Sequence, residues 1–284
     1  MFYNPAVSIV IREIGTDEMR AVEDLQVEIW GVSEREVLPS LALIPLKEVG
    51  GVLLGAFDSE LMVGFVFGFP GVEAGRPILH SDMLAVKTEY RSLGLGYRLK
   101  LAQREYALAK GVERITWTFD PLQSRNAYLN FAKLGVLADR YCPDYYGQTT
   151  SFLHRTGTDR LWVTWLLASE RVKQRVGALP TSTSSVLSLD QIPALITVGP
   201  GDEPLSTEVQ EESLLIEIPS DFGQIASTNL ELAQRWREIT RRAFMQALEH
   251  GFLVDEFYRP QDDKEKHGTY LLRRKTCQQV SAEG

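Results

Sequence analysis

Arg91-Ser92-Leu93-Gly94-Leu95-Gly96 is the stretch on which the reading of the fold turns. It follows an apolar, β-rich run at 78–86 and opens a segment with helical spacing, where Leu99, Ala102, Tyr106 and Ala109 recur on one face before Gly111. Two glycines let the chain turn tightly and lay out consecutive backbone N–H groups. Those groups lie where a helix N-terminus favours negative charge, so the loop suits a pyrophosphate. No Gly-Lys-Ser/Thr follows, which separates the loop from those of NTPases. No acidic residue closes a second parallel strand some ~20 residues on, which separates it from a dinucleotide fingerprint.

Working outward, residues 8–14 read as a strand, and Gly15-Thr16-Asp17 as a turn into a helix carrying Met19, Val22, Leu25 and Ile29 on one face. A loop with a second short helix occupies 33–48. The runs 52–57 and 61–69, split by Asp58-Ser59-Glu60, predict a hairpin whose two faces are both covered. A strand at 115–119, a helix at 126–133 closed by Leu134-Gly135, and an aromatic loop at 141–147 follow. Residues 149–153 and 160–167 read as a final hairpin. The sum is an α+β (mixed α/β) domain over 1–175, with a central, mostly antiparallel sheet flanked by helices. The stretch 177–188 is rich in Ser, Thr and Pro and reads as a linker. The organisation expected is a first domain at 1–175, a linker with a short strand at 176–212, and a smaller C-terminal α/β half-domain at 213–284. That last part carries strands at 214–218 and 270–272 and a helix with Leu232, Trp236, Ile239, Ala243 and Ala247 on one face. The charged run 261–267 reads as a loop.

Composition narrows the function classes. The chain has 284 residues, 44% hydrophobic and 24% charged, with a net charge of −8. That is long enough for a large core and ordinary for a soluble globular protein. The acidic balance speaks against broad nucleic-acid binding. No apolar run has the ~18–20 residues of a membrane helix. The start Met1-Phe2-Tyr3-Asn4-Pro5 has no signal-peptide pattern. Cys142 and Cys277 are too few for a disulfide framework or zinc site, which fits a cytoplasmic setting, and the histidines show no metal-ligand spacing.

The order and spacing of Met83-Leu84-Ala85-Val86, the 91–96 loop, Asn126-Ala127 and Lys133-Leu134-Gly135 resemble the GNAT acetyltransferase superfamily, over residues 8–167. The resemblance implies that acyl-CoA, acetyl-CoA by default, is the donor cosubstrate. Ser92, Leu93, Gly94, Leu95 and Gly96 would then hold the CoA pyrophosphate, with Arg91 closing the loop. Backbone groups of Leu84 and Val86 would pair with pantetheine and the acyl carbonyl, polarising the thioester. Asn126 would contact pantetheine and Lys133 a CoA phosphate. No metal is implied.

The family's usual tyrosine acid falls on Phe131, and its usual asparagine on Ser124. The acid must then come from elsewhere, and Tyr141, Tyr145 and Tyr146 in the returning loop are candidates, Tyr146 foremost. A base must deprotonate the incoming ammonium. Strict alternation along 78–86 places His80, Asp82 and Leu84 on one face, so His80 and Asp82 are the candidate bases. Glu23, Asp24 and Glu28 read as a solvated helix face, and Arg140 and Arg160 as candidate grips for an acceptor carboxylate.

The expected activity is N-acyl transfer to a small-molecule amine such as an amino acid. A long GNAT subgroup with a similar extension implies succinyl-CoA as an alternative donor. The rival is a GNAT-fold acyl-CoA sensor without turnover. Asp221-Phe222-Gly223-Gln224-Ile225-Ala226 lacks paired glycines, so the C-terminal part is not expected to hold a second CoA. It reads as a half-domain packed on the first, or as a homodimerisation unit.

Overall fold

A computed structural model describes residues 8–151, 154–177, 189–207, 211–259 and 267–275. Cys277, most of the expected linker and residues 261–266 lie outside them. The chain gathers into two compact units, 1–117 with 149–152, and 118–148 with 153–284. Each has helices against a mostly antiparallel sheet, the mixed α/β class expected. The contact boundary falls within a strand, between Trp117 and Thr118, whereas the sequence places a division near 175. Among the described residues no helix is long and apolar enough to cross a membrane.

The first unit runs β1 (Ile9–Glu13), α1 (Met19–Trp30), α2 (Ser40–Glu48), β2 (Val52–Asp58), β3 (Leu61–Glu73), β4 (Arg76–Val86), α3 (Leu95–Ala109) and the start of β5 (Arg114–Phe119). Neighbouring strands pair antiparallel from β1 to β4, and β4 pairs parallel with β5. Val52–Phe57 and Met62–Gly68 are buried at every position, as unbroken apolar runs in a sheet covered on both faces require. On one face, Met19, Val22 and Leu25 of α1 and Leu43 of α2 pack with Phe65, Phe67, Met83 and Ala85. Gln26, buried in α1, closes the following loop by exchanging hydrogen bonds with the backbone of Leu38, 2.8 and 3.1 Å.

Against the other face lies α3. Its buried residues are Leu95, Leu99, Lys100, Gln103 and Ala107, a stripe rotated from the expected one. The sequence rule chooses the most apolar stripe, while the sheet buries two polar residues here.

The second unit begins with α4 (Ser124–Ala127), continued by a π-helical turn over Tyr128–Leu134. Then come β6 (Leu137–Cys142), β7 (Arg160–Leu166), α5 (Glu170–Gly177), β8 (Ala194–Val198), β9 (Pro204–Ser206), β10 (Ser213–Pro219), α6 (Phe222–Thr228), α7 (Leu230–Glu249), β11 (Phe252–Tyr258) and β12 (His267–Arg274). Its strand order is β7-β6-β11-β12-β10-β8-β9. The core centres on Tyr270, ringed by Phe131, Phe244 and Phe257 at centroid distances of 5.8, 5.2 and 4.6 Å. Its hydroxyl donates to the Pro121 carbonyl at 2.7 Å, satisfying the one polar atom it buries.

Two strand assignments change. Strand β7 pairs antiparallel with β6. Residues 149–151 form no strand, because side chains take their bonding. The Ser33 N–H donates to Thr150 Oγ1 at 2.9 Å, Thr150 donates to Glu36, and Ser151 Oγ donates to the Trp30 carbonyl at 2.7 Å. Strand β11 was hidden by two carboxylates in its middle. Asp255 pairs with Arg171 (2.9 Å) and Arg273 (3.1 Å), and Glu256 with Arg175, so both enter a buried strand.

Candidate functional site

The 91–96 loop leads into α3 as expected of an anion site. Gly94 is the N-cap in the left-handed region, φ 66°. A Cβ there meets no atom within 4 Å, so the backbone turn, and not crowding, requires glycine. Leu95 and Gly96 occupy the first turn, where N–H groups have no intrahelical acceptor. Gly96 is different: its φ is not positive, and a Cβ would meet nothing nearer than Leu84 Cδ2 at 3.7 Å. Neither backbone nor packing asks for glycine at 96. Arg91 folds back, its Nε donating to the Val86 carbonyl at 3.2 Å.

Strand β4 supplies the second part. Its register against β3 runs Gly64↔Val86, Phe65↔Ala85, Val66↔Leu84 and Phe67↔Met83, and then jumps to Phe69↔His80. Ser81 and Asp82 together face Gly68, which is a β-bulge. The Lys87 N–H donates to the Val63 carbonyl, so this is a hydrogen-bonded pair. Alternation makes Val66↔Leu84 and Gly64↔Val86 the non-bonded pairs, whose backbone groups point away from β3. They point to the edge that β5 has left, since β5 pairs with β4 only at Leu79 and His80. Leu84 and Val86 therefore offer backbone donors and acceptors along an open strand edge, except where Arg91 takes the Val86 carbonyl.

The bulge overturns the shared face expected for His80, Asp82 and Leu84. His80 lies opposite Phe69 on the α1–α2 face, its ring 5.4 Å from the Phe69 ring and its Nδ1 3.0 Å from Thr116 Oγ1. Leu84 reaches toward α3. One extra residue between them breaks the period of two. Asp82 stays open to water, and among the described residues no hydrogen bond or ion pair engages its carboxylate. Surrounding protein nevertheless desolvates it and raises its pKa. Of the two candidate bases, Asp82 has the unengaged group.

The helix-face carboxylates are not simply solvated. Glu23 accepts from the Ser40 N–H at the start of α2, which holds its pKa low, and Glu28 pairs with Lys87 at 2.7 Å. Asp24 and Glu28 line a cavity of about 260 Å³ over Leu25, Phe57 and Met62. His80, Asp82 and the 91–96 loop do not border it.

In the second unit, Asn126 and Lys133 are exposed on α4 and its continuation. Phe131, at the family's tyrosine position, is fully buried between Phe119 (6.2 Å) and Tyr270. Tyr146 is 45% exposed. Its ring stacks on His154, and the Arg160 guanidinium lies 5.0 Å from its centroid. Tyr141 is a structural donor instead, giving its proton to Asp159 at 2.7 Å; burial first, and then Asp159, push its pKa upward. Arg140 stacks on Trp162 at 4.1 Å, and Arg160 is bound to the Asp159 carbonyl and His154.

Sequence reading missed two buried polar sets. In the second unit, Arg237 makes a bidentate pair with Asp120 at 2.7 and 2.8 Å, and Arg241 pairs with Asp159 at 2.6 Å. Burial alone would raise the Asp120 pKa, but the charge and hydrogen bonds of Arg237 prevail and lower it. The signal available was Arg237 and Arg241 one turn apart on the apolar side of α7. In the first unit, Lys100 is buried against Ser81 and Trp117.

No group of three or more His, Cys, Asp or Glu able to hold a metal occurs among the described residues. No curated protein matches the chain. Similar solved structures include aminoglycoside 6'-acetyltransferase type Ii, 18% identical, covering 56% of this chain and 98% of its own, TM-score 0.44. Arabidopsis thaliana Naa50 with a bisubstrate analogue is 15% identical over 56% and 98%, TM-score 0.46. A GNAT-family acetyltransferase from Streptococcus pneumoniae is 17% identical over 55% and 98%, TM-score 0.44. At these values they carry no argument about substrate. Residues 19–135 match the model of the Acetyltransferase (GNAT) family.

Proposed function

From the premise that residues 19–135 belong to the GNAT acetyltransferase family, we propose that this acyl-CoA-dependent enzyme acylates the amine of a small molecule such as an amino acid. The observation that carries the acyl-CoA part is the open edge of β4, where Leu84 and Val86 turn their backbone groups outward beside the Gly96 first turn of α3. Acyl-CoA supplies the activated thioester. The N–H groups at Leu95 and Gly96 receive the pyrophosphate, aided by the dipole of α3. The β4 edge aligns the pantetheine arm. A backbone N–H there meets the acyl carbonyl and stabilises the charge that grows on it during attack. Asp82 takes the proton of the ammonium nucleophile, directly or through water. Its raised pKa suits that task better than an ordinary carboxylate's would.

We propose further that His80 assists as a base, Tyr146 protonates the leaving thiolate, Asn126 contacts pantetheine and Lys133 a CoA phosphate, each tested by a single substitution. Succinyl-CoA is the alternative donor, and a C-terminal half-domain that shapes acceptor choice or forms a homodimer is the proposal for 213–284. The burial of Phe131 in place of a tyrosine acid favours one second reading, a sensor that binds acyl-CoA without turnover.

The test is thiol release from acetyl-CoA and succinyl-CoA with pooled amino acids and other small amines, and separately with peptide and protein amines. Amine-dependent release supports transfer and ranks the donors. CoA binding without release on any amine supports the sensor. Release only with peptide or protein amines overturns the small-molecule acceptor.

A further inference from the structure

Lys100 is 2% exposed, and among the described residues no carboxylate engages it. Its Nζ donates to Ser81 Oγ at 2.7 Å and to Gln103 Oε1 at 3.2 Å, and lies 3.7 Å from the centroid of the Trp117 indole. A lysine buried without an anion is expensive, and burial holds its pKa well below the ordinary value. Gln103 adds to the cost, because its Nε2 is buried with no partner among the described residues. An apolar residue at either position would fill the space between α3 and the sheet more cheaply.

The place where these polar groups converge is informative. Ser81 is the first residue of the β4 bulge, and Gly68 is the single residue opposite it. Gly68 is forced: a Cβ there would stand 2.9 Å from the His80 carbonyl oxygen and 3.1 Å from Gln103 Nε2. Lys100 thus holds the bulge from α3, and the missing side chain at 68 makes room for Gln103. Without the bulge, alternation would send Met83 and Ala85 away from the core they fill, and Leu84 and Val86 would turn to the wrong edge.

We propose that Lys100 is a positioning residue for acyl transfer: its bond to Ser81 Oγ locks the β4 bulge, and the lock sets Asp82 and the outward backbone groups of Leu84 in place. This rests on the acyl-transfer reading above. The lock itself does not, and the experiment separates the two.

The variants are Lys100→Met, which keeps length and volume, Ser81→Ala, which removes only a hydroxyl, and the double variant. Hydrogen–deuterium exchange is followed across 79–86, with kcat, KM for acyl-CoA and Tm. Both single variants should speed exchange in 79–86 but not in β2, and lower kcat about tenfold with KM within twofold. The double variant should be no worse than the worse single one, since one bond is lost in each case. Unchanged exchange at 79–86 in Ser81→Ala, or losses that add, overturns the lock; Ser81→Ala decides the matter even if Lys100→Met does not fold. Faster exchange with kcat intact overturns the role in transfer. If the native protein releases no thiol with any amine, the transfer reading fails, and the exchange data still judge the lock.

Discussion

Replacing Gly96 by alanine should make the protein more stable and a poorer binder of CoA, two effects of opposite sign from one methyl group. Gly96 lies in the first turn of α3 with a φ that alanine adopts freely, and the new Cβ would touch only Leu84 Cδ2, at 3.7 Å. Restricting the unfolded chain then gains about 0.4–1 kcal/mol. For a protein of this size that raises Tm by roughly 1–4 °C. The same methyl fills the space above the helix N-terminus that a pyrophosphate must enter. Loss of one hydrogen bond to a charged group costs about 1.5–3 kcal/mol. The CoA Kd should therefore rise about 10- to 150-fold. The assay pairs thermal unfolding of the free protein with calorimetric titration of CoA. Gly94→Ala is the control: at φ 66° with nothing nearby, it should lose about 1–2 kcal/mol of stability from backbone strain alone. If Gly96→Ala binds CoA as tightly as the native protein, the pyrophosphate does not sit at this turn. If it is destabilised, the account of free space at Gly96 is wrong.

Asp82→Asn should lower kcat at least tenfold with KM for acyl-CoA nearly unchanged; equal loss in both would make it a binding residue. Because the Asp82 pKa is raised and the base form is the active one, kcat/KM should fall as pH drops through that raised pKa, and the asparagine variant should lack that limb. His80→Ala, measured alongside, should cost less, since its ring is packed on Phe69 and tied to Thr116; an equal loss reinstates it as a base. Tyr146→Phe should reduce kcat, leaving CoA affinity intact, and unchanged turnover removes it as the acid. Arg237→Met should destabilise the protein by about 3–5 kcal/mol, because Asp120 is left buried without its cation. The folded-state pKa of Asp120 is lowered, so the pair's contribution is present above the ordinary carboxylate pKa and lost as pH falls through the lowered one. Denaturant melts at neutral and acid pH should show the gap between native and variant protein narrowing in acid; a constant gap counts against the ion pair.

By itself, the sequence determined the elements whose signal is local. The glycine loop, the helix after it, the hairpin of β2 and β3, and the amphipathic α1 and α7 follow from spacing and turn chemistry within a few residues. Tertiary structure decided what depends on a partner far along the chain. The bulge at Ser81 and Asp82 is invisible in β4 alone, because it is a mismatch of register against Gly68 of β3. It placed His80 and Leu84 on opposite faces, where alternation had joined them. Lys100 and Gln103 lie off the apolar face that spacing picks out on this helix; Lys100 is buried against Ser81 and Trp117, and Gln103 Oε1 accepts from Lys100. Asp255 and Glu256 concealed β11 for the same reason, since Arg171, Arg175 and Arg273 that admit them stand elsewhere in the sequence. A polar group enters the interior only when another meets it there, and that meeting is a property of the fold.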